Sequence, residues 1–289
     1  MFGFDQIVRP IADGTANLGV PRVFARIDDR CARIDEGEQF VDGCFHGMVL
    51  YPGMNDLNGK TALITGANRG IGLALARRFL AGGATCILVI RDAAKRDELA
   101  AAVGNVERVT IEVADIADPA AVSGLRERLA ARFDRIDVLL NNAAIFMSED
   151  RNMQADSLTS AVLRHTLDVN VIGTVMMCTT FAPLVPVGGR IINVSSTMGQ
   201  LSDGLEPYAT AYSVSKTALN AFTSSLAAAL RAKKILVDSF HPGWVRTEMG
   251  GPGAQIEPEA ATETAYFLAT REANGTTGRF WFESKPIAW

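Results

Sequence analysis

The sequence predicts an α/β fold, a doubly wound parallel β-sheet with helices on both faces. Short apolar runs alternate with longer segments of helical periodicity from Lys60 to the end of the chain. This alternation is typical of parallel strands joined by right-handed crossover helices. A glycine-rich turn at residues 65–72 directly follows the first apolar run, and 48% of the residues are apolar, enough to fill a core on both faces of a sheet.

Each element follows from a local pattern. Strands are assigned to short apolar runs, and helices to longer stretches with apolar residues every three or four positions. The predicted strands cover residues 61–64, 86–90, 109–113, 138–140, 190–194, 236–240 and 279–282. The predicted helices cover residues 71–81, 96–103, 119–133, 158–182, 212–232 and 262–268. This order predicts a Rossmann-type architecture.

The chain of 289 residues fits one large domain, which we place at residues 59–289. Residues 1–58 show no clean strand pattern and end in turn signals. We expect them to form an extension, an arm or cap that packs on the main domain. A lid over the substrate site, or a contact between subunits, is the alternative interpretation.

Composition argues against several classes of function. The net charge is −4 and no basic run occurs, so we expect no nucleic-acid partner. The four cysteines lack a Cys-x-x-Cys spacing and the histidines lack the spacing of metal ligands, so we expect reduced thiols and no metal. Because no signal peptide and no apolar run of ~20 residues is seen, we expect a cytoplasmic protein without a membrane partner.

The glycine-rich turn predicts a phosphate-binding loop. Gly66 permits a tight turn, Gly70 allows the backbone to approach a ligand, and Gly72 allows the helix to pack closely on the strand. The following helix then presents free N–H groups and the positive end of its dipole to a pyrophosphate. The residues of this loop that we expect to bind the cofactor are Gly66, Asn68, Arg69, Gly70, Ile71 and Gly72.

The end of the second strand indicates which nicotinamide cofactor is bound. A carboxylate there usually holds a free ribose 2′-hydroxyl, whereas a 2′-phosphate needs a cation. Here Ile90 is followed by Arg91, and Arg69 can reach the same pocket from the glycine loop. We expect Asp92 to point away. Two guanidinium groups favour a phosphate, and hence NADP(H).

Tyr212 and Lys216 form the predicted catalytic pair. Their spacing of four places both side chains on one face of a helix. A nearby ammonium group lowers the pKa of a phenol, so Tyr212 can act as an acid or base toward a carbonyl or alcohol oxygen. Ser195 and Ser196 end a buried strand, where a hydroxyl group can bind the same oxygen.

These motifs together resemble the short-chain dehydrogenase/reductase family over residues 60–289, closest to its carbonyl reductase and C-factor branches. The Gly-x-x-x-Gly-x-Gly loop, the Asn-Asn-Ala-Ala sequence after the fourth strand and the Tyr-x-x-x-Lys pair carry the resemblance. It implies that Ser196 is the catalytic serine and that Asn170 holds a water in a proton relay from Lys216. The loop between Ser196 and Tyr212 is a few residues longer than the family pattern.

The resemblance also assigns cofactor contacts. A basic residue at position 69 implies NADP(H), and Ala144 replaces a glycine of the family motif. The resemblance also implies that residues after the third strand contact adenine and that residues after the sixth strand contact nicotinamide. The implied cofactor residues beyond the glycine loop are Asp115, Ile116, Asn142, Ala143, Ala144, Tyr212, Lys216, Pro242, Gly243, Val245 and Thr247.

Residues that directly follow these motifs are expected to line the substrate cavity. They are Ile145, Phe146, Met198, Tyr208, Trp244 and Met249. Most are apolar or aromatic, which predicts a small-molecule ketone or aldehyde of that character, interconverted with its alcohol. Arg246 is the one candidate cation for a substrate carboxylate.

Two other functions remain open at this point, because a fold does not dictate a function. The chain could be a non-catalytic NADP-binding or signalling protein, which predicts loss of a catalytic group. It could also be an epimerase or dehydratase, which would need a larger substrate-binding lobe. The family resemblance further implies a homodimer or a homotetramer. Residues 1–58 could block or replace the contacts between its subunits.

Overall fold

The computed structural model describes residues 57–104, 107–202 and 204–289. Within them, one sheet has the strand order β3-β2-β1-β4-β5-β6-β7-β8. Its strands are β1 Thr61–Thr65, β2 Thr85–Ile90, β3 Val109–Val113, β4 Val138–Asn141, β5 Arg190–Val194, β6 Leu236–Phe240, β7 Phe280–Phe282 and β8 Lys285–Ile287. Strands β1 to β7 run parallel and β8 pairs antiparallel with β7. The predicted α/β class with a doubly wound, Rossmann-type sheet is confirmed.

The helices connect these strands in the predicted order. They are α1 Gly70–Ala81, α2 Arg96–Val103, α3 Pro119–Ala130, α4 Ser160–Leu167, α5 Thr174–Phe181, α6 Thr210–Leu230 and α7 Glu263–Thr270. A π-helical segment, Asp168–Gly173, joins α4 to α5. The strand order reverses between β1 and β4, so a crevice opens at the carboxyl ends of these two strands, where open α/β sheets bind ligands.

Two apolar cores cover the two faces of the sheet. Neighbouring residues of a strand point to opposite faces, so Ile64 contributes to one core and Leu63 to the other. Phe79 of α1 packs in the first core and Phe181 of α5 in the second, and both are fully buried. Because both faces are covered, the strands are rich in apolar residues on both faces, as in Thr85–Ile90, which is why the sequence predicts them well.

The predicted single helix at 158–182 is one helical run, Ser160–Leu184, with a π-helical segment in its middle. By length and composition alone this run could cross a membrane. In the fold it is a core helix, because Met177, Cys178 and Phe181 are fully buried in the second core. Gly173 in the π-helical segment lies so close to Ile116 that an added Cβ would come within 3.0 Å of that residue.

The carboxyl terminus contains a strand that the sequence does not predict. Strand β8 pairs Pro286 with Trp281, and proline is tolerated there because β8 is an edge strand. The turn before it places Glu283 and Ser284 at φ values of +47° and +59°. Hairpin turns with two positive φ values are usually formed by Asn or Gly, so Glu-Ser carries no turn signal.

The extension predicted at residues 1–58 lies almost entirely outside the described residues. Leu57 is described, and it is buried in the first core, where its N–H donates to the carbonyl of Gly82 at 2.6 Å. The arm, cap and lid interpretations of this extension stay predictions, as does the boundary at residue 58.

Candidate active site

Helix α6 brings Tyr212 and Lys216 onto one buried face, as the spacing predicts. The ammonium nitrogen of Lys216 lies 5.4 Å from the centroid of the Tyr212 ring. Lys216 is only 2% exposed and donates a hydrogen bond to the carbonyl of Val194 at 2.9 Å. Burial lowers the pKa of Lys216 to about 8, because an ammonium ion loses its hydration there.

The loop after β5 brings Ser196 to Tyr212. Gly199 of this loop packs directly on the Lys216 backbone, where an added Cβ would come within 2.5 Å. Burial raises the pKa of Tyr212 to about 12, and a hydrogen bond with Ser196 opposes this rise. The net direction is opposite to the lowering that the sequence predicts from Lys216, because loss of hydration outweighs it in the buried site. Ser196 also accepts the Met198 N–H at 3.1 Å. The buried Ser195 hydroxyl has no hydrogen-bond partner among the described residues, so the geometry favours Ser196 of the two serines.

Asn170 lies in the π-helical segment and is buried. Its Oδ1 accepts the N–H of Ile145 at 2.8 Å, and its Nδ2 donates to the carbonyl of Ile145 at 2.9 Å. Nδ2 also donates to the Ser215 hydroxyl at 3.0 Å. Asn170 therefore ties the loop after β4 to the residue next to Lys216. Its predicted role in a water relay stays a prediction.

The glycine loop forms a close cradle beside β4. An added Cβ on Gly72 would clash with the carbonyl oxygen of Gly66, and one on Gly66 would come within 2.9 Å of Ala143. Gly70 has a φ of +52°, which favours glycine. Helix α1 begins after Arg69 with no side-chain cap, so its first N–H groups are left for a ligand.

The ends of β1 and β4 are fastened together beneath this cradle. The Thr65 hydroxyl accepts the N–H groups of Asn142 and Ala143, both at 3.0 Å. The Asn142 amide donates to the carbonyls of Thr65 and Gly66 at 2.9 and 3.1 Å. This arrangement keeps the crevice open at the carboxyl edge of the sheet and fits the pyrophosphate of a dinucleotide.

Cations border the crevice near the end of β2. Arg91 is exposed there, and Arg69 pairs with Glu248 from the loop after β6. The Asp92 carboxylate accepts the Ala94 N–H at 2.9 Å and so caps its own turn, and the expectation that it points away from the pocket stays a prediction. Exposed Lys95 is a third cation near Arg69, and sequence reasoning missed it. Hydrogen bonding to Glu98 raises the pKa of Lys95, and the nearby Arg69 charge opposes this.

The residues predicted to contact adenine and nicotinamide lie at opposite sides of the glycine loop. Asp115 accepts the Ala117 N–H at 2.9 Å, and Ile116 is buried beside it. In the loop after β6, Thr247 lies against the glycine loop, where an added Cβ on Gly70 would meet its methyl group at 3.0 Å. Pro242, Gly243 and Val245 lead into this loop, and Gly243 has a φ of +86°.

Of the predicted substrate residues, Phe146 contacts the ring of Tyr212. Its ring stacks on Tyr212 with the centroids 4.6 Å apart. Ile145 is held by Asn170, and Met198 follows Ser196. The described contacts of Trp244 are with its own loop, where its Nε1 donates to the carbonyl of Gly250. The side chain of Tyr208 is exposed.

Two further residues near Tyr212 have no sequence signal of their own. Asp150 is completely buried and accepts the backbone N–H of Tyr212 at 2.8 Å. Arg151 lies over the Phe146 ring and donates to the carbonyl of Met249 at 2.6 Å. Both belong to the loop after β4, and only a periodic pattern or a motif, which that loop lacks, could have identified them.

The family model for short chain dehydrogenase matches residues 60–256. The chain belongs to this family. It is 30% identical to carbonyl reductase [NADPH] 1 of Sus scrofa, over 80% of this chain and 95% of that one. The predicted family and the expectation of an oxidoreductase are confirmed.

Solved structures of this fold agree with the assignment. A short chain dehydrogenase of Burkholderia cenocepacia in complex with NADP has a TM-score of 0.70 and 30% identity, over 78% of this chain and 96% of that one. The carbonyl reductase Sniffer of D. melanogaster has a TM-score of 0.72 and 29% identity, over 82% of this chain and all of that one.

Proposed function

We propose that this oxidoreductase uses NADP(H) to interconvert a ketone or aldehyde and its alcohol, with Tyr212 as the acid and base. The observation that carries the proposal is the buried cluster in which the Tyr212 phenol is hydrogen-bonded to Ser196 and lies beside Lys216. This cluster adjoins the carboxyl edge of the sheet, next to the glycine cradle.

NADP(H) is the cofactor that the cradle fits. The glycine loop and the uncapped start of α1 would hold the pyrophosphate. Arg69, Arg91 and Lys95 supply positive charge for a 2′-phosphate. A nicotinamide cofactor supplies a hydride to the carbonyl carbon, or removes one from the alcohol carbon. The names of the pig reductase and the Burkholderia complex, which mention NADPH and NADP, support the same choice.

Each side chain of the cluster has a separate role in proton transfer. The Ser196 hydroxyl donates a hydrogen bond to the substrate oxygen and stabilises the negative charge that develops on it. The Tyr212 phenol donates its proton to that oxygen during reduction. Burial keeps the phenol protonated until the reaction begins, since it raises the pKa of Tyr212 to about 12. The Lys216 ammonium then stabilises the phenolate that is left.

The surroundings of Tyr212 favour a substrate with an apolar or aromatic body. The phenol ring stacks on Phe146, and the neighbouring loops carry apolar Ile145, next to Phe146, and Met198, whose N–H donates to Ser196. Such surfaces hold a ligand by burial, while Ser196 and Tyr212 orient its oxygen. Assembly into a homodimer or homotetramer and a cytoplasmic location stay predictions.

Turnover assays test the proposal directly. NADPH absorbance would be followed with a panel of aromatic and aliphatic ketones, aldehydes and quinones, and NADPH binding would be measured separately. Replacement of Tyr212 by Phe is expected to lower kcat at least ~100-fold, because the proton donor is lost, while NADPH binding persists. Tyr266→Phe is the matched control, since Tyr266 lies in the first core, and it should retain full activity.

Three outcomes would argue against the proposal. Unchanged turnover in Tyr212→Phe would contradict the acid–base role. A preference for NADH would contradict the choice of cofactor. Binding of NADPH without turnover of any carbonyl compound would favour the alternative, a non-catalytic NADP-binding or signalling protein.

A further inference from the structure

Arg151 holds a guanidinium group close to the proposed catalytic tyrosine. Its guanidinium carbon lies 4.5 Å from the centroid of the Phe146 ring, and that ring stacks on Tyr212 with centroids 4.6 Å apart. The same guanidinium donates to the Met249 carbonyl at 2.6 Å. Arg151 therefore connects the loop after β4 with the loop after β6, and its guanidinium contacts the same Phe146 ring that stacks on Tyr212.

Arg151 has no carboxylate partner within the described residues, unlike Arg69 and Arg246. Arg69 pairs with Glu248, and Arg246 pairs with Glu257 and also donates to the carbonyl of Ala254. The described structure gives Arg151 one hydrogen bond, although a guanidinium has five N–H donors. A partly buried cation with donors to spare is well suited to a carboxylate, which it can bind through two parallel hydrogen bonds.

We infer that Arg151 selects substrates that carry a carboxylate in addition to the carbonyl group. This inference rests on the proposed function. The carbonyl oxygen lies at Ser196 and Tyr212, the apolar body lies along Phe146, and the carboxylate reaches Arg151. The substrate class is therefore an aromatic or otherwise apolar oxo acid. The sequence offers Arg246 as the candidate cation, and in the structure Arg246 is exposed and pairs with Glu257.

A probe substrate follows from these contacts. The Phe146 ring links the phenol to the guanidinium, with 4.6 Å between the two ring centroids and 4.5 Å from the Phe146 centroid to the guanidinium carbon. A benzene ring that carries the carbonyl and the carboxylate at opposite positions places an apolar body between the two groups. 4-Acetylbenzoate has this arrangement, and methyl 4-acetylbenzoate has the same body without the charge. These two compounds are the probes of the experiment.

The experiment compares kcat/KM for the acid and its methyl ester, with NADPH, in four proteins. The wild type is expected to favour the acid by about tenfold or more, the effect of one well-placed charged pair. Arg151→Met should remove this preference, chiefly by raising KM for the acid, while kcat/KM for the ester changes less than about threefold. Arg151→Lys should restore part of the preference. Arg246→Met is the matched control and should keep it.

Added salt gives a second measurement that needs no variant. Because the carboxylate binds at a partly exposed cation, sodium chloride at 0.5 M should reduce the wild-type preference for the acid, with little effect on the ester.

The inference is overturned if the wild type shows no preference for the acid, or if the preference survives in Arg151→Met and in salt. In both cases reduction of the ester would leave the proposed function standing. Wild-type protein that reduces neither compound, nor any other carbonyl compound of the panel, would instead overturn the proposed function and the inference with it.

Discussion

The carboxylate of Asp150 accepts a hydrogen bond from the backbone N–H of Tyr212 at 2.8 Å. Its other oxygen accepts the N–H of Ala211 at 3.0 Å, and its own carbonyl accepts the N–H of Ala209 at 3.1 Å. Ala209, at the start of α6, supplies no side-chain cap, so the cap of the catalytic helix comes from the loop after β4. The loop that carries Phe146 and the helix that carries Tyr212 are thereby joined.

Replacing Asp150 by Ala should affect both stability and catalysis. The variant leaves two buried N–H groups without an acceptor, so the free energy of unfolding should fall by about 2 kcal/mol. We also expect kcat to fall about tenfold, because small displacements of a catalytic group are costly. Urea denaturation and steady-state kinetics with NADPH measure the two effects. Asp150→Asn, which retains one acceptor oxygen, should show smaller changes in both.

Asp118→Ala provides a matched control for this pair of effects. Asp118 caps α3 in the usual local manner, accepting the Ala120 N–H at 2.9 Å, and it lies away from Tyr212 in sequence and in the fold. Its loss should cost about 1 kcal/mol and leave kcat unchanged. If Asp150→Ala were destabilised but fully active, Asp150 would hold the fold without positioning the tyrosine.

The fold was predictable because its signals are local. Most strands are short, largely apolar segments that are buried on both faces, as in Thr85–Ile90, so a local pattern identifies them without knowledge of their neighbours. Strand β7 was predicted, but the turn after it and strand β8 were missed for the opposite reason. Glu283 and Ser284 adopt positive φ values in the turn, although Glu and Ser are not residue types that predict such a turn.

The residues of the candidate site likewise fall into those that the sequence identifies and those that only the structure reveals. Tyr212 and Lys216 are four residues apart, and Ser196 ends a strand, so spacing and position identify them. Asp150 contacts the backbone of a residue 62 positions later, and Arg151 meets Met249 from 98 positions away. No pattern in an irregular loop predicts such partners, since only the folded chain brings them together.

Arg69 should determine the choice between NADPH and NADH. Replacing it by Ser removes a cation expected at the 2′-phosphate, so Kd for NADPH should rise about tenfold or more, while Kd for NADH stays within about threefold. Fluorescence titration with both cofactors measures this. Arg77→Ser is the control, because Arg77 is exposed on α1 and donates to the carbonyl of Ala102. An equal rise in Kd for both cofactors would show that Arg69 does not bind the 2′-phosphate.

Glu248 provides a second test of the same pocket. Its carboxylate pairs with Arg69 and would compete with a bound phosphate for that guanidinium. Glu248→Gln should therefore tighten NADPH binding by a few-fold and leave NADH binding unchanged.

Lys216 should destabilise the cofactor-free protein at neutral pH. Burial lowers the pKa of Lys216 from 10.5 to about 8. At pH 7 the ammonium is charged in both states, so the folded state bears the full cost of burying it. Between about pH 8 and 10.5 the folded protein has released this proton and the unfolded chain has not, so this group's contribution to stability rises with pH.

Lys216→Met should therefore be inactive yet more stable than the wild type at pH 7. A pKa shift of this size, less the lost hydrogen bond to Val194, gives a gain of about 2 kcal/mol in the free energy of unfolding. The gain should shrink as the pH approaches 10, and urea denaturation without cofactor at pH 7 and 9.5 measures it.

Other titrating groups, such as the buried thiols, are common to both proteins and cancel in the difference. Lys95→Met, at an exposed ion pair, should leave stability essentially unchanged at both pH values. A variant of Lys216 that is less stable than the wild type at pH 7 would mean that the buried ammonium contributes more through its contacts than its burial costs.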